Sequence, residues 1–264
     1  MLNNIPQVTK NILILNIMFF VATLILETQG INLISQFGAH YVNSPLFQPF
    51  QIVTHFFMHG GILHIFFNMW LFVMLGSYLE RIWGPKRFFI FYIAAALGAF
   101  GLYNIMGVYE LQQLKENIIT SGYEINEINY QLKIFNSEFI PDDQFSDKFN
   151  LFYNNLIQSE VIENSESSLK YILNSYTPMV GASGAVFGIM AAFAILFPNT
   201  EFMIYFMFPI KAKFLVGGYL LLEMYLAYQD NAGDNTAHLA HVGGAIVGGI
   251  IVLIWRKTDK TNFW

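Results

Sequence analysis

His64 and Asn68, Ser183, Glu223, His238 and His241 are polar or ionisable side chains that stand inside largely apolar stretches. A serine hydroxyl is a poor nucleophile until a base takes its proton, and histidine is the side chain suited to that near neutral pH. Attack on a carbonyl then makes a tetrahedral oxyanion, which needs donors already in place. Ser183 and His241 therefore point to acyl transfer. His64 and Asn68, four residues apart and so on one helix face, can add two side-chain donors. The backbone N–H of Ser183, close to a helix N-terminus where amides lack intrahelical partners, adds another. No Asp or Glu stands at the same depth in the second, fourth or sixth apolar stretch, so a Ser183–His241 dyad is expected. The Phe187 ring, one turn below Ser183, is placed to stack on the imidazole in lieu of a third polar group. Glu223, about a turn below this layer in the fifth stretch, is expected to bond a neighbouring helix and not to act in catalysis.

The elements that must carry these groups are six apolar runs, at 11–27, 63–80, 86–107, 181–197, 212–228 and 238–255. Each is close to the length a helix needs to cross a hydrocarbon core of ~30 Å. The first follows Lys10 with no small-residue cleavage site after it, and reads as a retained helix and not a removed signal peptide. At 1.5 Å per residue, Ser183 lies about 22 Å above the end of its run at Pro198. His241 lies about 21 Å above the Trp255-Arg256 boundary, and Asn68 about 20 Å above Arg81, with His64 one turn higher. Four groups from three helices thus share a layer roughly 5–10 Å below the outer surface.

Small residues let those helices approach. Gly184 with Gly188, and Gly244 with Gly248, are both small-xxx-small pairs, the arrangement that permits close helix contact in lipid. Packed together, the two faces bring the Ser183 hydroxyl within reach of the His241 imidazole.

Composition agrees with a chain dissolved in lipid. Of 264 residues, 55% are hydrophobic and 17% aromatic, while 12% are charged, about half the usual 25% of a soluble domain. The absence of Cys excludes disulfides, thiolate metal sites and cysteine nucleophiles. A net charge of −5 argues against a nucleic-acid partner. The charge is concentrated: residues 108–177 hold 11 acidic and 4 basic side chains. The other nine basic residues (Lys10, Arg81, Lys86, Arg87, Lys211, Lys213, Arg256, Lys257 and Lys260) all fall on one side when alternate connections are counted. The positive-inside rule then puts both termini in the cytoplasm and turns the 28–62 loop, the acidic insertion and the 229–237 loop outward. A bacterial cytoplasmic membrane is the expected address.

The insertion reads as helical. After Pro141, Phe145, Phe149, Phe152 and Leu156 recur on one face, with Asp142 and Asp143 suited to the first turn; a helical cap without chemistry is expected. The 28–62 loop, carrying Phe47, Phe50, Phe56 and Phe57, is apolar enough to lie partly in the outer leaflet. His55 and His59 are expected at its interface, with outer-loop neighbours of the site as the alternative; His238 is expected as a loop-end or gate residue, and Glu80 as a cap or Arg partner at the cytoplasmic end. A metal or haem site drawn from His55, His59, His64, His238 and His241 is the competing chemistry, but no HExxH occurs and no carboxylate base sits among those histidines. No cofactor and no metal are expected.

At this point the motifs resemble those of rhomboid intramembrane serine proteases. The run from His59 to Asn68 carries the HxxxN signature as His64 and Asn68; Gly76, Glu80 and Gly84 match GxxxExxxG. Gly181-Ala182-Ser183-Gly184 matches GxSG, and His241, Gly244 and Gly248 match HxxGxxxG. All four occur in order, over residues 55–256 apart from the insertion. The resemblance implies an all-α polytopic membrane protein, a six-helix bundle of rhomboid type with a membrane-embedded first loop (28–62) and a helical extramembrane insertion. It implies a nucleophile at Ser183, a base at His241, oxyanion contacts from His64 and Asn68, and a lateral gate at the fifth helix and 229–237 loop. Its substrates would be transmembrane proteins in the lipid bilayer, cleaved near the outer end of a span. A catalytically silent relative that binds membrane clients is the alternative. One such domain would comprise residues 1–107, the insertion 108–177 and residues 178–264. Three features depart from the pattern: Pro49-Phe50-Gln51 stands where a Trp-Arg pair is common, Phe187 stands where Tyr is frequent, and the insertion is long.

Overall fold

The computed structural model describes residues 4–138, 140–204, 208–229 and 237–258, with backbone only at 142, 143 and 204. Twelve helices occur among the described residues: α1 (Gln7–Glu27), α2 (Leu33–Phe37), α3 (Gln51–Thr54), α4 (Ile62–Leu71), α5 (Ser77–Trp83), α6 (Pro85–Thr120), α7 (Ile125–Ser137), α8 (Asp142–Gln158), α9 (Glu166–Tyr176), α10 (Ser183–Leu196), α11 (Ala212–Gln229) and α12 (His238–Thr258). Between α10 and α11, strands β1 (Glu201–Ile204) and β2 (Phe208–Lys211) pair antiparallel, with Glu201 opposite Lys211. These are the two strands among the described residues of a mostly helical chain.

Each expected apolar run lies on a helix. Four helical stretches are long and apolar enough to cross a membrane: Gln7–Glu27, Ile62–Trp83, Pro85–Thr120 and His238–Thr258. The second combines α4 and α5 through a π-helical segment at Phe72–Gly76. The third does not stop at residue 107 but runs 36 residues to Thr120, into the acidic region. The fourth run is helical only over the 14 residues of α10, about 21 Å. Such a helix is shorter than a ~30 Å hydrocarbon core, so its first residue, Ser183, can stand below the surface. Gly181, with φ +112, cannot extend α10 upward, and only glycine adopts that backbone readily.

The chain divides into two compact units, residues 1–20, 56–103 and 181–264 in one, 21–55 and 104–180 in the other. The first unit is centred on α10, buried from Gly184 to Phe193 and again at Leu196. Phe72, Phe88 and Tyr92 are fully buried beside it, with Phe72 edge-on to Tyr92 at 5.3 Å. Trp83 packs edge-on to Trp255 at 5.3 Å. The outer helices expose apolar side chains such as Met18, Phe66, Phe67, Trp70, Leu221 and Leu253, as helices that face lipid do. Glu80 is buried and accepts bonds from the N–H groups of Val8 and Thr9 (2.9 and 2.8 Å) and from the Thr9 hydroxyl (2.7 Å). The carboxylate thus caps the N-terminus of α1 from a different helix, satisfying amides that α1 cannot bond itself. This is the cap reading expected of Glu80.

The second unit has its own core, formed by Leu111, Ile118, Ile128, Leu132, Leu156, Ile162, Tyr171 and Ile172. Of the periodic face on α8, Phe149 and Leu156 are buried, with Phe145 and Phe152 packed against the same cluster. First-loop residues enter it: Leu46 is buried there and Tyr41 packs alongside. Ala39 and Met179 exchange both backbone hydrogen bonds at 2.8 Å. The Ser44 hydroxyl donates to Ser175 O at 3.0 Å, and His40 Nδ1 lies 3.0 Å from the same oxygen. The acidic insertion and the first loop therefore fold together, a pairing the charge pattern did not announce.

Candidate active site

Ser183 is the first residue of α10, and the first bond of its ladder runs from Val186 N–H to Ala182 O. The N–H groups of Ser183, Gly184 and Ala185 precede that ladder. On α12, His241 is buried, and its Nε2 lies 2.8 Å from Ser183 Oγ. The glycines make this distance possible. A Cβ built on Gly244 would overlap the Gly184 carbonyl oxygen, and one on Gly248 would come within 2.7 Å of Gly188 Cα and its carbonyl oxygen. On the other side, Gly188 lies against Ala95 of α6, where a Cβ would come to 2.6 Å. The Phe187 ring lies parallel to the His241 imidazole, with centroids 4.3 Å apart and planes at 9°.

The expectation of an imidazole without a carboxylate partner is corrected. Glu223 bonds a neighbouring helix, as anticipated, but the helix is α12 and one of the partners is His241 itself. His241 Nδ1 donates to Glu223 Oε2 at 2.8 Å, and His238 Nδ1 shares the same oxygen at 2.7 Å. Glu223 is only 2% exposed. Depth counting missed this because rise per residue locates a group along its own helix and leaves the axial offset between two helices open. A lone carboxylate in an apolar run, facing histidines at i and i+3 on the next run, was the available signal.

His64 and Asn68 converge on the turn that precedes Ser183. A Cβ at Gly181 would come within 2.8 Å of His64 Nε2 and 3.7 Å of Asn68 Nδ2. His64 Nδ1 faces the Gly60 N–H at 3.4 Å; as acceptor there, it leaves the ring proton on Nε2, toward Gly181. Asn68 is buried and His64 half-buried.

Other expectations change. His55 and His59 are not interfacial but buried. His55 Nδ1 donates to Gln51 O at 2.7 Å, and His59 packs edge-on to His64 at 5.0 Å. Burial pushes the pKa of both side chains down to about 4, with His64 adding to the effect at His59. His238 opens α12 as a loop-end residue would, and adds its bond to Glu223. Most of the 229–237 loop, and Lys260, lie outside the described residues. As for a metal, Glu223, His238 and His241 offer ligand atoms within 4.8 Å of one another. Their 2.7 and 2.8 Å contacts are hydrogen-bond lengths, whereas ligands on a tetrahedral zinc stand about 3.3 Å apart. The group is thus arranged for protons and would have to spread to hold an ion.

Comparison with known proteins identifies the family. The family profile described as Rhomboid domain matches residues 46–112 and 151–258. An uncharacterized mitochondrial rhomboid protein of Schizosaccharomyces pombe is 38% identical over 87 residues, 31% of this chain and 22% of that protein. Rhomboid-like protease 1 of Toxoplasma gondii is 28% identical over 102 residues, 36% of this chain and 34% of that protein. The likeness therefore covers a minor part of either relative's length. The family match takes in more than half of the chain, including His64, Asn68, Ser183 and His241, and the chain belongs to the rhomboid family.

Proposed function

We propose that this protein is an intramembrane serine endopeptidase that hydrolyses peptide bonds in or next to the transmembrane segments of other membrane proteins. The observation that carries the reading is the 2.8 Å contact between Ser183 Oγ and His241 Nε2 at the N-terminus of α10. In this reading His241 Nε2 takes the Ser183 proton as Oγ attacks the scissile carbonyl carbon. The oxyanion is held by the Ser183 N–H with donors from His64 Nε2 and Asn68 Nδ2. Collapse expels the amine, which receives its proton from His241, and water then repeats the sequence on the acyl-enzyme. The name of the Toxoplasma gondii relative, a rhomboid-like protease, supports the same reading. The basic rim lies on the cytoplasmic side, with both termini, and the site opens on the opposite face.

The test is covalent. The full chain, purified in detergent, is treated with a fluorophosphonate and digested for mass spectrometry. Phosphonylation of Ser183, abolished in both Ser183→Ala and His241→Ala, together with cleavage of a single-span substrate, is the expected result. Absence of both labelling and cleavage in folded protein rejects the peptidase in favour of a silent client-binding relative.

A further inference from the structure

We propose that Glu223 is a positioning residue for His241, held in place by His238, so that the base is supplied by three residues of two helices. The inference rests on the peptidase reading above and extends it beyond a dyad. A base must present an unprotonated Nε2 to the serine, and an imidazole in water has no strong preference between its tautomers. Here the Glu223 carboxylate accepts the Nδ1 proton at 2.8 Å, on the ring edge opposite Ser183, which leaves the Nε2 lone pair facing Oγ at 2.8 Å.

Two constraints then act on one ring. Phe187 covers its face, and Glu223 binds its edge in the plane. Tyr219, one turn before Glu223 on α11, packs on Phe187 at 4.9 Å, so α11 supports both. His238 Nδ1 donates to the same Oε2 at 2.7 Å and limits rotation of the carboxylate. A clasp between α11 and α12 would need only the His238 bond. The bond to His241 Nδ1 is the one that bears on chemistry. An ionised carboxylate in an apolar span is costly unless paired, and with two N–H donors on one oxygen Glu223 is paired in a way that serves the base.

The experiment compares wild type with Glu223→Gln and His238→Gln, each in detergent, by melting temperature, by kcat and KM on a single-span substrate, and by 15N spectra of histidine-labelled protein. The His241 signal is assigned by its loss in His241→Ala. Wild type is expected to show His241 as the Nδ1–H tautomer. Glu223→Gln should lose that preference and lower kcat about 10²-fold with KM within about threefold. The loss is smaller than the about 10⁴-fold typical when a triad carboxylate is neutralised, because Phe187 still holds the ring. His238→Gln should lower kcat less than Glu223→Gln. A Glu223→Gln protein that melts earlier but keeps wild-type kcat and tautomer in its folded fraction overturns the proposal, as does wild type with His241 protonated on Nε2. Stoichiometric zinc in the purified wild type, with activity changed by chelation, would also overturn it. If wild type neither labels at Ser183 nor cleaves, the peptidase reading fails on its own, while the tautomer still decides the Glu223–His241 pairing.

Discussion

The Phe187 ring lies on the His241 imidazole with planes 9° apart, and the stack joins the helix that begins with Ser183 to the helix that carries His241. An aromatic pair of this kind is worth about 0.5–1.5 kcal/mol beyond its burial. Phe187→Tyr keeps the stacked face and should retain kcat within about threefold. Phe187→Ala should lower kcat by about 2- to 13-fold and lower stability by about 3–5 kcal/mol through the cavity it leaves. Turnover and denaturation of the three proteins in one detergent decide it; equal kcat in wild type and Phe187→Ala would refute a role for the stack.

Close approach of α10 and α12 makes a second, sharper contrast. Gly244 has no room for a methyl group beside the Gly184 carbonyl, whereas a Cβ on Gly217 of α11 would meet nothing within 4 Å. Gly244→Ala should push the two helices apart, cost about 1–3 kcal/mol and cut Ser183 labelling at least 10-fold. Gly217→Ala should leave labelling unchanged and gain up to about 1 kcal/mol from helix propensity. Equal behaviour of the two alanine variants would contradict the packing described here.

The donors around Gly181 carry a kinetic expectation. Loss of one oxyanion donor typically costs about 10²–10³ in rate. His64→Ala and Asn68→Ala should each lower kcat in that range while leaving KM close to wild type. Full turnover in both variants would remove these residues from the oxyanion role.

Acid should destabilise the fold through its loop histidines. Burial holds His55 and His59 at about 4, and lowers His40, from the ordinary 6.5. Above about pH 6.5 these rings are neutral in both folded and unfolded chains, and their contribution to stability is fully present. As pH falls toward 4 the unfolded chain takes up protons that the folded one refuses. Stability then drops by about 1.4 kcal/mol per pH unit for each such histidine. Melting temperature should fall between pH 6.5 and 4, with a shallower slope in His55→Gln. An unchanged melting temperature across that interval would show that these rings are not buried.

Much of this protein was legible before folding. Apolar runs of about membrane-spanning length and the constant rise of a helix put Ser183, His241, His64 and Asn68 at comparable heights, and the glycine pairs show which faces can meet. These are properties of single helices and of solvent, so local sequence determines them. The remainder is relational. That Glu223 reaches His241, that His55 and His59 are buried and not interfacial, and that the first loop shares a core with the acidic insertion all depend on offsets, rotations and contacts between distant segments. A carboxylate's depth on its own helix says nothing of how far that helix has slid along its neighbour; packing of side chains between helices sets that, and only the tertiary structure decided that His241 has a carboxylate partner.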